Sequence, residues 1–507
     1  MVLHPSLGRV SIHPMSAPAT NVRVVSRLQL LLTVWTGRVT IDILPDDVLI
    51  LVFRFDQVVY LEGLKYHDRL HNPSWKWHRL VHVCRRWRSV IFASPNSLDV
   101  RLICGPHTSM ERMDIWPPLP VIIRNVMFVP MPEDHGFDAA IVHHNRVHEI
   151  ELFITGPEWQ RLAVALQEHF SALIHLNLLF VYIDSRHPTP VLPDRLLGGS
   201  APRLQSLKLH TISFPTLPKF LLSATHLVRL DLLAIPHSGY MSPEALVAGL
   251  AVSPNLKLLR IIFDSPRGLP NREIRHPPPP TRTVLPSLTH FELKGVSEWL
   301  EDVLGRIDAP LLDSLYITFF HQFIFDTLPL ARFMSRTAMF EALNEAHLVI
   351  GYDSVQVKSL YRMKDFDNRS GLGISCEEMN HQITFLVQVV KSLFPSIYVV
   401  ESLYIYGAEY SITQWRDDNG DTQWVDIFRP FTAVKNLYMG KEFARRIAPA
   451  LQELVGGKAR DVLPALKNLW VEDWGIESSL AGPTQEAIGR FVAARQLLGQ
   501  PVALQVF

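Results

Sequence analysis

Cysteine is scarce in this chain. Only Cys84, Cys104 and Cys376 occur among 507 residues, an odd number set far apart. That excludes a disulfide framework and any paired-cysteine metal motif, and it fits a reducing compartment, cytoplasmic or nuclear. Net charge is missing as well, with Lys+Arg and Asp+Glu both at 49. A balanced chain has no electrostatic pull toward nucleic acid or an anionic membrane, and neither is expected as a partner. No apolar run approaches the roughly 20 residues that cross a bilayer. The first 41 residues contain no Asp or Glu and four arginines, Arg9, Arg23, Arg27 and Arg38. That composition faintly resembles a mitochondrial transit peptide, but residues 1–41 read as a disordered extension.

Signatures of chemistry are absent too. Around Gly456-Gly457-Lys458, Gln452 stands where a phosphate loop needs its first glycine, and Ala459 follows the lysine in place of Ser or Thr. Gly371-Leu372-Gly373 lacks a third glycine at the right spacing. His78 and His82, and His144 and His148, are four apart and would share a helix face, but no third metal ligand accompanies either pair. The chain is therefore expected to be no enzyme and to carry no cofactor or metal.

What is present is apolar pattern. The chain is 48% apolar and 19% charged, so it is globular and long enough for more than one unit. Between Ile43 and Leu98 two short helices are written. Pro45 suits a first turn, and Asp46 and Asp47 complement the positive end of the dipole. Val48, Leu51, Val52 and Phe55 then recur at i, i+3, i+4 and i+7 as one stripe. In the second helix Trp77, Leu80, Val81, Cys84, Trp87 and Ile91 fall on one face, with Pro95 as the stop. On that stripe Cys84 reads as a small hydrophobe. Helices this short do not bury both stripes alone, so some apolar surface is left over for another element or another protein.

The string Leu44-Pro45-Asp46-Asp47-Val48-Leu49, followed by Val83-Cys84-Arg85-Arg86-Trp87-Arg88, resembles the F-box in the form common among large fungal F-box-like families. The stretch Gln57 to Ser74 between the two halves is longer than the usual spacer.

From Val147 onward another pattern repeats, apolar-x-x-apolar-x-apolar followed by a turn. It stands at Val147/Ile150/Leu152, Leu173/Leu176/Leu178, Leu204/Leu207/Leu209, Leu227/Leu230/Leu232, Leu256/Leu259/Ile261, Leu288/Phe291/Leu293 and Leu312/Leu315/Ile317. Weaker copies follow at Leu343/Ala346/Leu348, Val400/Leu403/Ile405, Val434/Leu437/Met439 and Leu466/Leu469/Val471. The first seven begin 23 (Leu204 to Leu227) to 32 (Leu256 to Leu288) residues apart. A proline precedes many of them, as in Ala201-Pro202, Ser253-Pro254 and Leu463-Pro464, where it ends a helix and pushes the preceding residue toward extended backbone. Pattern and period resemble leucine-rich repeats.

Helix signals lie between the copies at Trp159 to Phe170, after Ser242-Pro243, after Ser297, at Glu377 to Phe394 and at Thr484 to Leu498. The gap from 343 to 400 holds a degenerate copy or a hairpin around Val355 to Met363. Asp264 to Arg282, with Pro277 to Pro280, reads as a loop.

The expected fold is α/β: a small N-terminal helical F-box-like domain at 42–98, a connecting segment at 99–129, and an irregular repeat solenoid at 130–507, a curved parallel sheet backed by helices with a C-terminal cap. The resemblance implies a substrate-recognition subunit of a cullin-type (SCF) ubiquitin ligase. Its F-box would dock a Skp-type linker through Leu44, Pro45, Val48, Leu51, Val83, Cys84 and Trp87, and its repeats would recruit an unknown target protein. The alternative is an interaction scaffold that never engages the ligase.

Overall fold

The computed structural model describes residues 44–63, 76–95, 97–98, 100–104, 116–125, 141–182, 189–266, 281–320, 328–337, 345–350, 354–360, 371–377, 386–390, 400–407, 423–456, 462–472 and 481–506. Residues 1–41 and the run Pro277 to Pro280 lie outside them. The chain divides into two compact units, Met1–Val100 and Arg101–Phe507.

The first unit contains three described helices, α1 Asp46–Gly63, α2 Lys76–Val81 and α3 Arg85–Ala93. Helix α1 opens where Pro45 O accepts from Leu49 N at 3.0 Å. It runs on to Gly63, through the start of the stretch that reads as a spacer. The expected second helix is two helices. The chain turns at His82-Val83, and Cys84 then adopts extended backbone and accepts from Trp87 N through Sγ at 3.4 Å. Cys84 is thus the N-cap of α3. Leu49, Phe53, Trp77, Val81, Val90 and Ile91 are buried, and Trp87 packs on Phe53 with ring centroids 4.7 Å apart. Arg86 donates to Leu44 O and to Asp46 Oδ1, tying the start of α1 to α3.

The second unit is built on one sheet of sixteen strands. Its first part alternates strands with helices: β1 Leu102–Cys104, β2 Val121–Arg124, β3 Val147–Ile154, α4 Gly156–Ala165, β4 His175–Phe180, β5 Ser206–His210, α5 Leu217–Leu221, β6 Arg229–Ile235, α6 Pro243–Leu250, β7 Leu258–Phe263, β8 His290–Gly295, α7 Ser297–Arg306 and β9 Ser314–Phe320. Strands β1 to β9 pair in order and in parallel. Strands β1 and β2 show that the solenoid starts inside the stretch expected to be a connector.

The repeat register is the one written in the sequence. Ile150, Leu176, Leu207, Leu230, Leu259, Phe291 and Leu315 stand side by side in one column, and Leu152, Leu178, Leu209, Leu232, Ile261, Leu293 and Ile317 in the next. All of them are buried. Alternate residues of a strand point to opposite faces, so each leucine pair faces the helices and the residue between them faces out.

The order then changes. After α8 Leu328–Met334 come β10 Glu345–Ile350, β11 Ser354–Leu360 and β12 Gly371–Glu377. Strand β12 pairs parallel with β9, β11 lies antiparallel between β12 and β10, and β10 pairs parallel with the next repeat strand, β13 Ser402–Gly407. The hairpin expected near Val355 is therefore a three-strand meander laid backwards into the sheet. Ala346 and Leu348 of the weaker copy lie in β10. Glu377, expected to open a helix, ends β12, and helical backbone is described at 386–390.

Parallel order resumes through α9 Gln423–Phe428, β14 Asn436–Met439, α10 Lys441–Glu453, β15 Asn468–Val471, α11 Ala481–Leu497 and β16 Ala503–Val506. Gly499, at φ +73°, ends α11 in the left-handed conformation that glycine permits. Helix starts depart from expectation in two places. Thr155 and Glu158 form a capping box ahead of α4, and Val296 rather than Ser297 caps α7. Ser242 caps α6 as expected, accepting from Ala245 N.

Candidate protein-interaction surfaces

Two surfaces stand out, one on each unit. On the first, α1 is apolar over more of its circumference than its own unit covers. Leu49 and Phe53 face inward. Leu51, Val52 and Phe55 are 41%, 38% and 71% exposed. The stripe read in the sequence as Val48, Leu51, Val52 and Phe55 is thus the outer face of the helix, and the inner face is one step round.

Of the residues assigned to linker binding, Pro45, Leu51 and Val83 are exposed, and Leu44 and Val48 half-buried. Cys84 and Trp87 are engaged internally, as cap and as the partner of Phe53. Val52 and Phe55, exposed beside Leu51, lie outside that set. Their signal was present in the stripe, but periodicity alone does not say which side of a helix is inward.

On the second unit, the outward residues of the sheet fall into two zones. The first runs over β2 to β8 and is charged. Arg101 and Arg124 hold Glu149 at 3.4 and 2.8 Å, and Arg124 also holds Glu151 at 2.7 Å. Arg229 Nε donates to Asp231 at 2.5 Å, and Arg260 Nε to Glu292 at 2.6 Å. Burial alone would raise the Glu292 carboxyl, but hydrogen bonds from His290 and Arg260 hold it below the ordinary carboxylate range. Burial lowers His175, Glu149 opposes that and Arg101 adds to it, so its ring favours the neutral form. Glu149, Glu151, His175, Asn177, Ser206, Lys208 and Arg229 line an open hollow of about 260 Å³.

The second zone is aromatic. His347, Tyr404, Tyr438 and Trp470 occupy one column on β10, β13, β14 and β15. Neighbouring rings stack at 4.4, 4.3 and 5.6 Å with interplanar angles of 5°, 7° and 12°. Beside them Asn468 donates to Asn436 at 2.8 Å and Asn436 to Ser402 at 3.2 Å. Burial, with Glu345 and Tyr438 nearby, pushes the Tyr404 phenol up to about 12.

The other candidates dissolve into local contacts. His144 Nδ1 lies 2.8 Å from His169 O, and His148 Nδ1 lies 2.9 Å from Arg146 O. They sit in a 3₁₀ turn and in β3, not on one helix face. Gly371-Leu372-Gly373 is part of β12. No group of three or more His, Cys, Asp or Glu able to hold a metal occurs among the described residues. No described helix is long and apolar enough to cross a membrane.

No protein-family model and no curated protein matches the chain. Among solved structures the chain is similar to the leucine-rich repeat-containing protein LegL7 from Legionella pneumophila, at 12% identity over 68% of this chain and 90% of that one, with a TM-score of 0.25. A likeness that weak bears on neither family nor function. The parallel-sheet solenoid rests instead on the strand register of this chain itself.

Proposed function

We propose that the chain is a non-catalytic protein-interaction subunit: its first unit docks a Skp-type linker of a cullin ubiquitin ligase, and its repeat unit holds a target protein. The observation that carries this reading is the outer face of α1. Leu51, Val52 and Phe55 are exposed in a unit whose own core is already filled by Leu49, Phe53, Trp77 and Val81. An amphipathic helix with a second apolar face is built to meet another protein. The F-box resemblance of Leu44 to Leu49 and Val83 to Arg88 gives that partner its identity. Such a subunit would break no bonds. It would raise the effective concentration of target lysines near a charged conjugating enzyme. Proteins assembled this way work in the cytoplasm or nucleus, in keeping with three free cysteines.

The test is co-purification with the linker. Phe55→Asp places a charge on the outer face of α1, where an interface anchor is worth more than about 1–2 kcal/mol, roughly tenfold in binding. It should abolish co-purification without lowering the melting temperature. The doubled Leu44→Ala, Pro45→Ala variant should weaken it, because Pro45 is exposed and Leu44 only half-buried at the start of α1, which Arg86 holds through the backbone oxygen of Leu44. Linker binding unchanged by both variants would leave the scaffold that never engages the ligase.

A further inference from the structure

In the middle of the charged zone one cation stands apart from the ion pairs around it. Each of its four carboxylates, Glu149, Glu151, Asp231 and Glu292, is held by an arginine. Lys208, in the middle of the zone, makes no ion pair and no hydrogen bond among the described residues. In register it stands between Asn177 and Asp231, and it lines the open hollow with Ser206 and Arg229. Arg229 is fixed from below, because Asp231, whose side chain is fully buried, takes its Nε. Among the described residues the two terminal amino groups of the guanidinium make no hydrogen bond, and they are able to donate.

We propose that this hollow binds the carboxylate of an acidic side chain on an extended segment of a target protein, with Lys208 as its counter-ion. The inference rests on the reading of the repeat unit as a target-binding surface, and it names the chemistry of the target. Charge complementarity is the argument. Glu149 and Glu151 are already neutralised by Arg101 and Arg124, so they do not repel an incoming carboxylate as bare acids would. The charge left without a counter-ion on this part of the face is the Lys208 ammonium. Beside it, Ser206 offers a hydroxyl and Arg229 planar N–H groups, the donors that a carboxylate accepts from. A parallel sheet face also presents these groups at fixed spacing along neighbouring strands, which suits a segment lying across β4 to β6.

The experiment uses the purified full chain and a fluorescein-labelled hexaglutamate peptide, with binding read by fluorescence anisotropy. The unmodified chain should bind it, more weakly as salt is raised. Lys208→Gln should weaken binding by about tenfold or more, the usual scale for losing a charged hydrogen-bond partner. Lys208→Arg should keep it. Lys219→Gln removes the same charge from an exposed site on α5, on the helix side of the sheet, and should change nothing. No binding by the unmodified chain, no loss in Lys208→Gln, or an equal loss in Lys219→Gln would overturn the proposal. Lys208 is half-exposed and makes no ion pair or hydrogen bond among the described residues, so its variants should melt like the unmodified chain. Linker co-purification reads the first unit and is judged separately. It can fail while the peptide binds, and the peptide can fail to bind while the linker co-purifies.

Discussion

Glu292 shows how an outward-facing residue of the sheet takes part in stability. Its desolvation opposes ionisation, yet His290 and Arg260 overcome that and leave it more acidic in the folded chain than in the unfolded one. A carboxyl with a depressed folded pKa contributes stability above the ordinary carboxylate range and loses it as pH falls through that range. Thermal melts between neutral pH and about pH 3 should therefore show a shallower acid-side decline for Glu292→Gln than for the unmodified chain. Equal slopes would mean that the Arg260 pair carries no folding energy. Arg495 works from the other side of the sheet. It is fully buried and donates through Nη2 to Leu463 O at 3.2 Å and Pro464 O at 3.3 Å. Leu463 has φ +50°, so the guanidinium braces a left-handed turn just before β15. Arg495→Met keeps the apolar stem but strands two carbonyls. It should cost about 1–3 kcal/mol, read by thermal or denaturant melting, and Arg495→Lys should recover part of that.

The strands from β3 to β9 were legible because each places two leucine-type residues two apart and a third three before them, a pattern that specifies both face and register. The elements that were not legible break that pattern for identifiable reasons. Strands β1 and β2 have three and four residues, too short to carry it. Helices α2 and α3 read as one because Leu80, Cys84, Trp87 and Ile91 keep helical spacing across the turn. Cysteine is an uncommon cap, so nothing in its residue type announced the break. Strand β11 alternates correctly at Val355 and Val357, but alternation carries no direction, so its antiparallel course was invisible. Strand β12 is disguised by Gly371 and Gly373. The second of these is required, since a Cβ there would lie 2.5 Å from Cδ1 of Tyr316, its direct partner on β9. Gly373→Ala must push that ring aside and should cost about 1–3 kcal/mol by overcrowding. The check is a lowered melting point that Tyr316→Ala in the same chain partly restores. No loss in Gly373→Ala would mean that the ring moves freely. The surfaces were less legible than the core. Periodicity found the apolar stripe of α1 but not its side, and the place of Lys208 among the ion pairs of the charged face emerges only when strands far apart in sequence are set in register.

The two units have separate interiors. Leu49, Phe53, Trp77 and Val81 belong to the first, while the hydrophobic cluster of the second begins at Cys104 and ends at Val502. In the repeat unit each strand touches only its neighbours, so damage should spread along the array before it collapses the whole. Leu259 is the most informative place to cut. It is fully buried and pairs with Leu230 on one side and Phe291 on the other. Leu259→Ala should cost roughly 2–5 kcal/mol, the range for emptying a leucine site in a packed core. Hydrogen exchange should rise first in β6, β7 and β8, and later if at all in β14 to β16. Linker co-purification should stay as it was, because the apolar face of α1 belongs to the first unit and Leu259 to the second. Phe55→Asp should give the opposite pair of results, lost co-purification and unchanged exchange in the repeats. Binding to the ligase and cohesion of the repeats would then be separable properties of one chain, and a target could be held by a subunit that no longer delivers it. If Leu259→Ala also abolishes linker binding, or Phe55→Asp also loosens β6 to β8, the two units are coupled and the division of labour between them is wrong.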